Sequence, residues 1–255
     1  MFLDAYTRQI YHMLTQWDRE MLKKKTGLVD RMVRQMQKKI DNLIPEKVHA
    51  TVTTALEVAI KAFMTGVSLL PVPSEPRPAT LQLMDEQASA IIQKYKKVAA
   101  IEGTGTGMGG ILLAAIDFPA LIAIKIKMLQ EMAWAYGYDI RRPTERYYLI
   151  HLFLLAFASG ESQQRIYRKI RHWDRLPIMA RPSADLDFDW REFYTEYREG
   201  IETKKTLGFI PVIGTPVSAW ANFSLTGTLG EVAQNAFRLR YLQSLCIEEL
   251  YADPR

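Results

Sequence analysis

Apolar residues recur at spacings of three and four through almost the whole chain, and this period constrains the fold more than any other feature. Leu3, Tyr6, Ile10, Met13, Leu14, Trp17 and Met21 lie on one face of a helix. Gly27 then offers a stop, and Leu28, Met32, Met36, Ile40 and Leu43 make a second stripe. Pro45 suits the first turn of a third helix, where its missing N–H is no loss; that helix reads through Val48, Val52, Leu56, Ile60 and Phe63. Past residue 80 the pattern resumes with Leu81, Met84, Ala88, Ile91, Ile92 and Tyr95, and runs again through 111–137. The stretch YYLIHLFLLAFA at 147–158 is apolar all round, as a buried helix is. An acidic, aromatic helix is expected at about 187–206, and a helix rich in Ala, Leu and Arg closes the chain. No alternating β-branched runs bounded by hairpin turns compete with this reading. The expected fold class is all-α, a multi-helix bundle with roughly 70% helix as an order of magnitude.

Two kinds of segment interrupt the pattern. LPVPSEPRP places Pro71, Pro73, Pro76 and Pro78 at near-alternate positions, a density that no helix survives. It reads as an extended linker over 71–79, between an N-terminal helical segment (1–70) and a larger helical domain (80–255). The others are GTGTGMGG at 103–110 and GFIPVIGTPVSAWANF at 208–223. Each is rich in small residues and leads into a long amphipathic helix, over 103–136 and 208–245. The bundle is therefore expected to carry two glycine/proline-rich apolar helical hairpins.

Composition narrows the class. With 255 residues, 48% hydrophobic and 24% charged, the chain can bury a core without disulfides, and intrinsic disorder is excluded. A single cysteine, Cys246, excludes a disulfide scaffold and fits a reducing compartment. Asp4 and Arg8 appear before any apolar core of a leader could form, so no secretory signal is expected. The formal charge of +5 is unevenly spread. Residues 141–175 are basic (Arg141, Arg142, Arg146, Arg165, Arg168, Lys169, Arg171, Arg175), whereas 185–202 is acidic. Charged helix faces are more often just solvated; without a nucleic-acid-binding module beside them, an anionic membrane surface ranks above DNA or RNA as a partner for these basic residues. The apolar runs at 110–124, 147–158 and 208–223 span fifteen, twelve and sixteen residues. Crossing a bilayer takes about 20. They read as core helices, with an interfacial or re-entrant hairpin as the alternative.

Catalytic signatures are weak. Gly105-x-Gly107-x-x-Gly110 matches the dinucleotide fingerprint formally, but that motif works only between a strand and a helix. Here helix precedes it, and the glycines read as places where helices pack closely. A phosphate-binding loop would need Lys-Ser/Thr after its last glycine, where Ile111 stands. His12, His49, His151 and His172 show no metal-ligand spacing, and His151, inside an apolar helix, reads as a satisfied core histidine rather than a metal ligand. Cys246 has no sequence-visible partner, and no Gly-x-Ser-x-Gly elbow is present. No cofactor, metal or catalytic residue is expected on these grounds. Asp117, the one acid inside the longest apolar run, reads as the N-cap of a helix beginning at Phe118 and Pro119. The alternative is a buried charge that binds a partner or a proton.

The stretch from Gly103 to Arg146 resembles the EcsC family. The features that carry the likeness are the glycine segment (Gly105, Gly107, Gly110), the Asp117-x-Pro119 step, Tyr136-Gly137-Tyr138-Asp139 and Pro143-x-Glu145-Arg146. A second match lies in IPVIGTPVSAWANFSLTGTLGEVAQNAFRLRYL, on Pro211, Gly214 and Asn222. The likeness covers roughly 90–245. It implies a helical bacterial protein of a family named for association with an ABC transporter system, and it carries over no reaction. The expected function is that of a non-catalytic cytoplasmic protein, peripheral at the inner membrane, acting as an accessory to transporter subunits. The alternative is an enzyme with dispersed catalytic residues, acting on lipid or peptide near the glycine segment.

Overall fold

The computed structural model describes residues 4–23, 54, 57–73, 76–106, 110–158, 160–175 and 215–251. Helix α1 (Ala5–Leu22) starts at Asp4, whose carboxylate accepts the Thr7 N–H at 2.7 Å. A helical segment covers 57–64. The body is built from α2 (Leu81–Thr106), α3 (Gly110–Ala135), α4 (Pro143–Phe157), α5 (Gly160–Arg171), a single 3-10 turn (Trp173–Arg175) and the long α6 (Thr215–Tyr251). Among the described residues every regular element is helical, so the fold is an all-α multi-helix bundle. The expected stripes at 28–43 and 45–53, the acidic helix at 187–206, and Gly107, Pro211 and Gly214 lie outside the described residues.

Helix α2 lies antiparallel to both of its neighbours. Asp85 meets Tyr136 and Lys94 meets Glu131, in opposite order along α2 and α3. On the other side, Asp85 meets Arg238 while Lys96 lies over Phe223 of α6. The α2–α6 contact is close because Gly230 has no side chain: a Cβ there would fall 2.7 Å from Ile92 Cγ1. Antiparallel to α6 runs α4, with Tyr148 donating to the Ala236 carbonyl at 3.1 Å and Glu145 reaching Arg240. Pro143 opens α4 at a position where no N–H is needed, and from Glu145 to Phe157 nearly every residue is buried. The core runs through Phe63, Met128, Leu129, Met132, Tyr148 and Phe237.

Helix α3 ends in a left-handed turn. Gly137 has φ +85°, the Tyr138 N–H bonds the Ala133 carbonyl, and the Gly137 N–H bonds that of Trp134. This is the Schellman arrangement, which favours glycine at the turning residue. It aims Tyr138 back across Phe237, with ring centroids 5.6 Å apart.

One expectation needs correction. Asp117 does not cap a helix start, because α3 runs unbroken from Gly110 and holds both Asp117 and Pro119 within it. Proline removes one backbone donor from a helix interior, and here the helix continues through it. Proline favours first turns, but Pro119 is not in one. Among the described residues, no helix is long and apolar enough to cross a membrane.

Candidate functional site

The proline segment is seated on the body by one buried glutamine. Gln130, 1% exposed, accepts the Leu70 N–H at 2.8 Å and donates to the Ser68 carbonyl at 3.2 Å, so its carboxamide pairs with the backbone as another strand would. Further along, Arg77 donates to the Gly137 carbonyl at 3.0 Å and lies 4.4 Å from the centre of the Trp134 ring. Leu70–Pro73 thereby forms a strap over the α2–α3 seam and encloses a recess of about 430 Å³. Ile91, Trp134 and Ile140 give the recess apolar walls, and Gln87, Lys94, Glu131 and Asp139 supply its polar rim.

The rim charges are already engaged. Glu131 takes Lys94 at 2.9 Å and the Tyr95 hydroxyl at 2.8 Å. Burial, reinforced by Glu131, pushes the Tyr95 phenol up, so it remains a donor. Arg141 forks onto Asp139 at 2.8 and 2.7 Å, and holds its carboxyl down to about 2.

Behind the recess the bundle is tied by two buried carboxylate nodes. Asp85, 2% exposed, accepts hydroxyl bonds from Tyr6 at 2.7 Å and from Tyr136, together with Arg238 Nε at 2.9 Å. Burial first, and Asp85 second, push the Tyr136 phenol far above its ordinary range; the Tyr6 phenol rises to about 12 for the same reasons. The second node is Arg240. Its guanidinium forks onto Glu145 at 2.6 and 2.8 Å and onto Asp174 at 2.6 and 2.7 Å. It lies 4.0 Å from the Tyr138 ring centre and 4.6 Å from that of Tyr148. Burial opposes its charge, but the two carboxylates outweigh burial and hold its pKa above the ordinary value. A third pairing sets Asp18 of α1 against Arg171 at 2.7 Å and the Tyr167 hydroxyl at 2.7 Å.

Three of the sequence candidates meet at one end of the bundle. Tyr136 serves the Asp85 node, Gly137 turns the chain and accepts Arg77, and Glu145 serves the Arg240 node. Gly105, Gly110, Asp117 and Pro119 lie away from them, in the last turns of α2 and the first half of α3. Asn222 lies in α6, its carbonyl accepting the Thr226 hydroxyl at 2.7 Å. His151 is half-buried rather than in the core, with Nδ1 on the Tyr147 carbonyl at 2.9 Å and its ring beside Trp173. The basic segment is partly turned inward. Arg146 is 7% exposed and binds the carbonyls of Met64, Ile140 and Arg141, while Arg171 and Arg141 hold carboxylates.

Sequence reading missed Asp85, Gln130, Arg238 and Arg240. The available signal was Arg-Leu-Arg in a helix otherwise bound for the core, since buried arginines require partners. Lys125 is a further surprise. It is 3% exposed, has no ion pair or hydrogen bond among the described residues, and burial lowers its pKa to about 8. Among the described residues no group of side chains is placed to hold a metal ion.

Residues 8–242 match the family model described as the EcsC protein family, and the chain belongs to that family. It is 34% identical over 228 residues to "Protein EcsC" of Bacillus subtilis (strain 168), covering 89% of this chain and 93% of that protein. It is 30% identical over 164 residues to "Uncharacterized protein YdbA" of the same organism, covering 64% of this chain and 60% of that one. No solved structure matches. The family match begins in α1, which contacts α2 through Tyr6 and α5 through Asp18.

Proposed function

We propose that this EcsC family member is a non-catalytic helical accessory of an ABC transporter system, acting on the cytoplasmic side at the inner membrane surface. The observation that supports a binding role over catalysis is how the buried carboxylates are used. Asp85 ties α2 to α1, the end of α3 and α6 through Tyr6, Tyr136 and Arg238, and Glu145 ties α4 to α6 through Arg240, which is work for a scaffold. The strapped recess remains open to a partner: apolar walls give it affinity, and paired charges at its rim give it orientation. The family resemblance supplies the transporter as the neighbour.

Site-specific photocrosslinking tests the reading. A photoreactive residue at exposed Gln87, on the rim of the recess, should label a transporter subunit in native membranes. A label at Gln87 should disappear when Trp134→Ala opens the recess wall. Absence of any transporter label, together with turnover of a lipid or peptide by the purified protein, would replace the accessory by the enzyme.

A further inference from the structure

One end of the bundle is nearly free of charge. Between Glu102 and Lys125 the chain carries one charged residue, Asp117, and residues 206–230 carry none. The described parts of these stretches, 103–106, 110–124 and 215–230, share one end of the bundle. The last turn of α2, the first half of α3 and the first half of α6 start or finish at the same end, because α2 is antiparallel to both. Residues 110–124 alone extend for about 22 Å along α3. Asp85, Asp139, Glu145 and Asp174 lie at the other end, around the turn after α3, while Glu131, paired with Lys94, and Glu231 stand between the two ends.

This end exposes large apolar side chains. Ile101 is 71%, Trp220 68% and Val98 37% exposed. Lys96 faces Gly227 and Phe223, so about one more turn of each helix brings Ile101 level with Trp220. Lysines border the apolar zone: Lys96 and Lys97 on α2, and Lys127 at the corresponding level of α3. Glu102 is the acid among them. An apolar end with an exposed tryptophan and a collar of lysines has the profile of a surface that enters the headgroup region of a bilayer. The lysines favour anionic lipid over a neutral surface. No described helix can span, so entry is shallow and from one side.

We propose that the end formed by α2, α3 and α6 is the membrane-contacting surface of the protein, with Trp220, Ile101 and Val98 in the interfacial zone and Lys96, Lys97 and Lys127 against anionic headgroups. This rests on the reading that the protein works at a membrane, and it names the part that does so.

The test is flotation of the full chain with phosphatidylcholine vesicles, with and without phosphatidylglycerol. The parent should bind only the anionic vesicles. Each of Lys96→Gln, Lys97→Gln and Lys127→Gln should weaken binding about fivefold. Ile101→Ser combined with Trp220→Ser should weaken it at least about tenfold. Leu83→Ser, at the far end of α2, should leave binding unchanged, with circular dichroism confirming that every variant is folded. Brominated lipid should quench the parent more than Trp220→Phe, a measurement that holds even if the serine variants misfold. Parent binding that survives the tip variants, with equal quenching of Trp220→Phe, overturns this surface and leaves the membrane reading standing. Failure of the parent to bind any vesicle overturns both, and crosslinking to the transporter then decides the accessory role alone.

Discussion

Replacing Arg240 by methionine should be among the most destabilising single changes in this protein. Arg240 is 5% exposed, and its guanidinium makes four short bonds, two to Glu145 and two to Asp174, between two tyrosine rings. Methionine is close in length and keeps much of the packing, so the loss is mainly electrostatic. Glu145 is 8% exposed and would be left as a buried carboxylate without its cation, whereas the Asp174 side chain, 32% exposed, can recover water. Breaking a buried pair by removing one partner costs about 3–5 kcal/mol, and Glu145 carries most of that here. Arg240→Met with Glu145→Gln removes both charges, and should be more stable than Arg240→Met alone by at least about 1.5 kcal/mol. Urea denaturation followed by circular dichroism, at constant m, measures each corner of the cycle. Arg240→Lys should fall between parent and methionine, because an ammonium cannot fork onto two carboxylates at once. A loss under about 1 kcal/mol for Arg240→Met, or strict additivity in the double variant, would refute the clamp.

Lys125→Met should stabilise the fold, and the gain should depend on pH. The folded pKa of about 8 lies below the ordinary 10.5, so between those values the unfolded chain holds a proton that the fold lacks. Burial therefore costs most below pH 8 and is relieved as the pH rises. The advantage of methionine should shrink from about 3 kcal/mol at about pH 7 to about 1 kcal/mol at about pH 10, and a flat profile in thermal melts would contradict the burial of the amine. Gly230→Ala should destabilise by about 1–3 kcal/mol because its Cβ meets Ile92 on α2, and Ile92→Ala should rescue part of that loss in urea titrations. Gln130→Leu removes both bonds to the strap, so limited proteolysis should cut near 68–73 faster in the variant while far-UV circular dichroism stays the same.

Much of the fold follows from local pattern. The period of three and four in α1 and α2, the all-round apolarity of α4, the proline that opens it and the prolines that break 71–78 are decided by neighbours within a few residues, so sequence displays them. The family, too, was legible from short motifs. Asp117 marks the limit of that reasoning, because whether a proline opens a helix or sits within it depends on how well the flanking turns pack. The pairings were beyond reach for a different reason. Asp85 with Arg238 joins residues 153 apart in sequence, and Glu145 with Arg240 joins residues 95 apart. Nothing local distinguishes these arginines from solvated ones. Their charge is tolerable in the core only once the antiparallel packing of α2, α4 and α6 sets a carboxylate opposite each, and that arrangement exists only in three dimensions. The same holds for the apolar end. Sequence shows the two charge-free stretches separately, but only the reversal of α2 between α3 and α6 places the parts of them that lie in those helices at the same end.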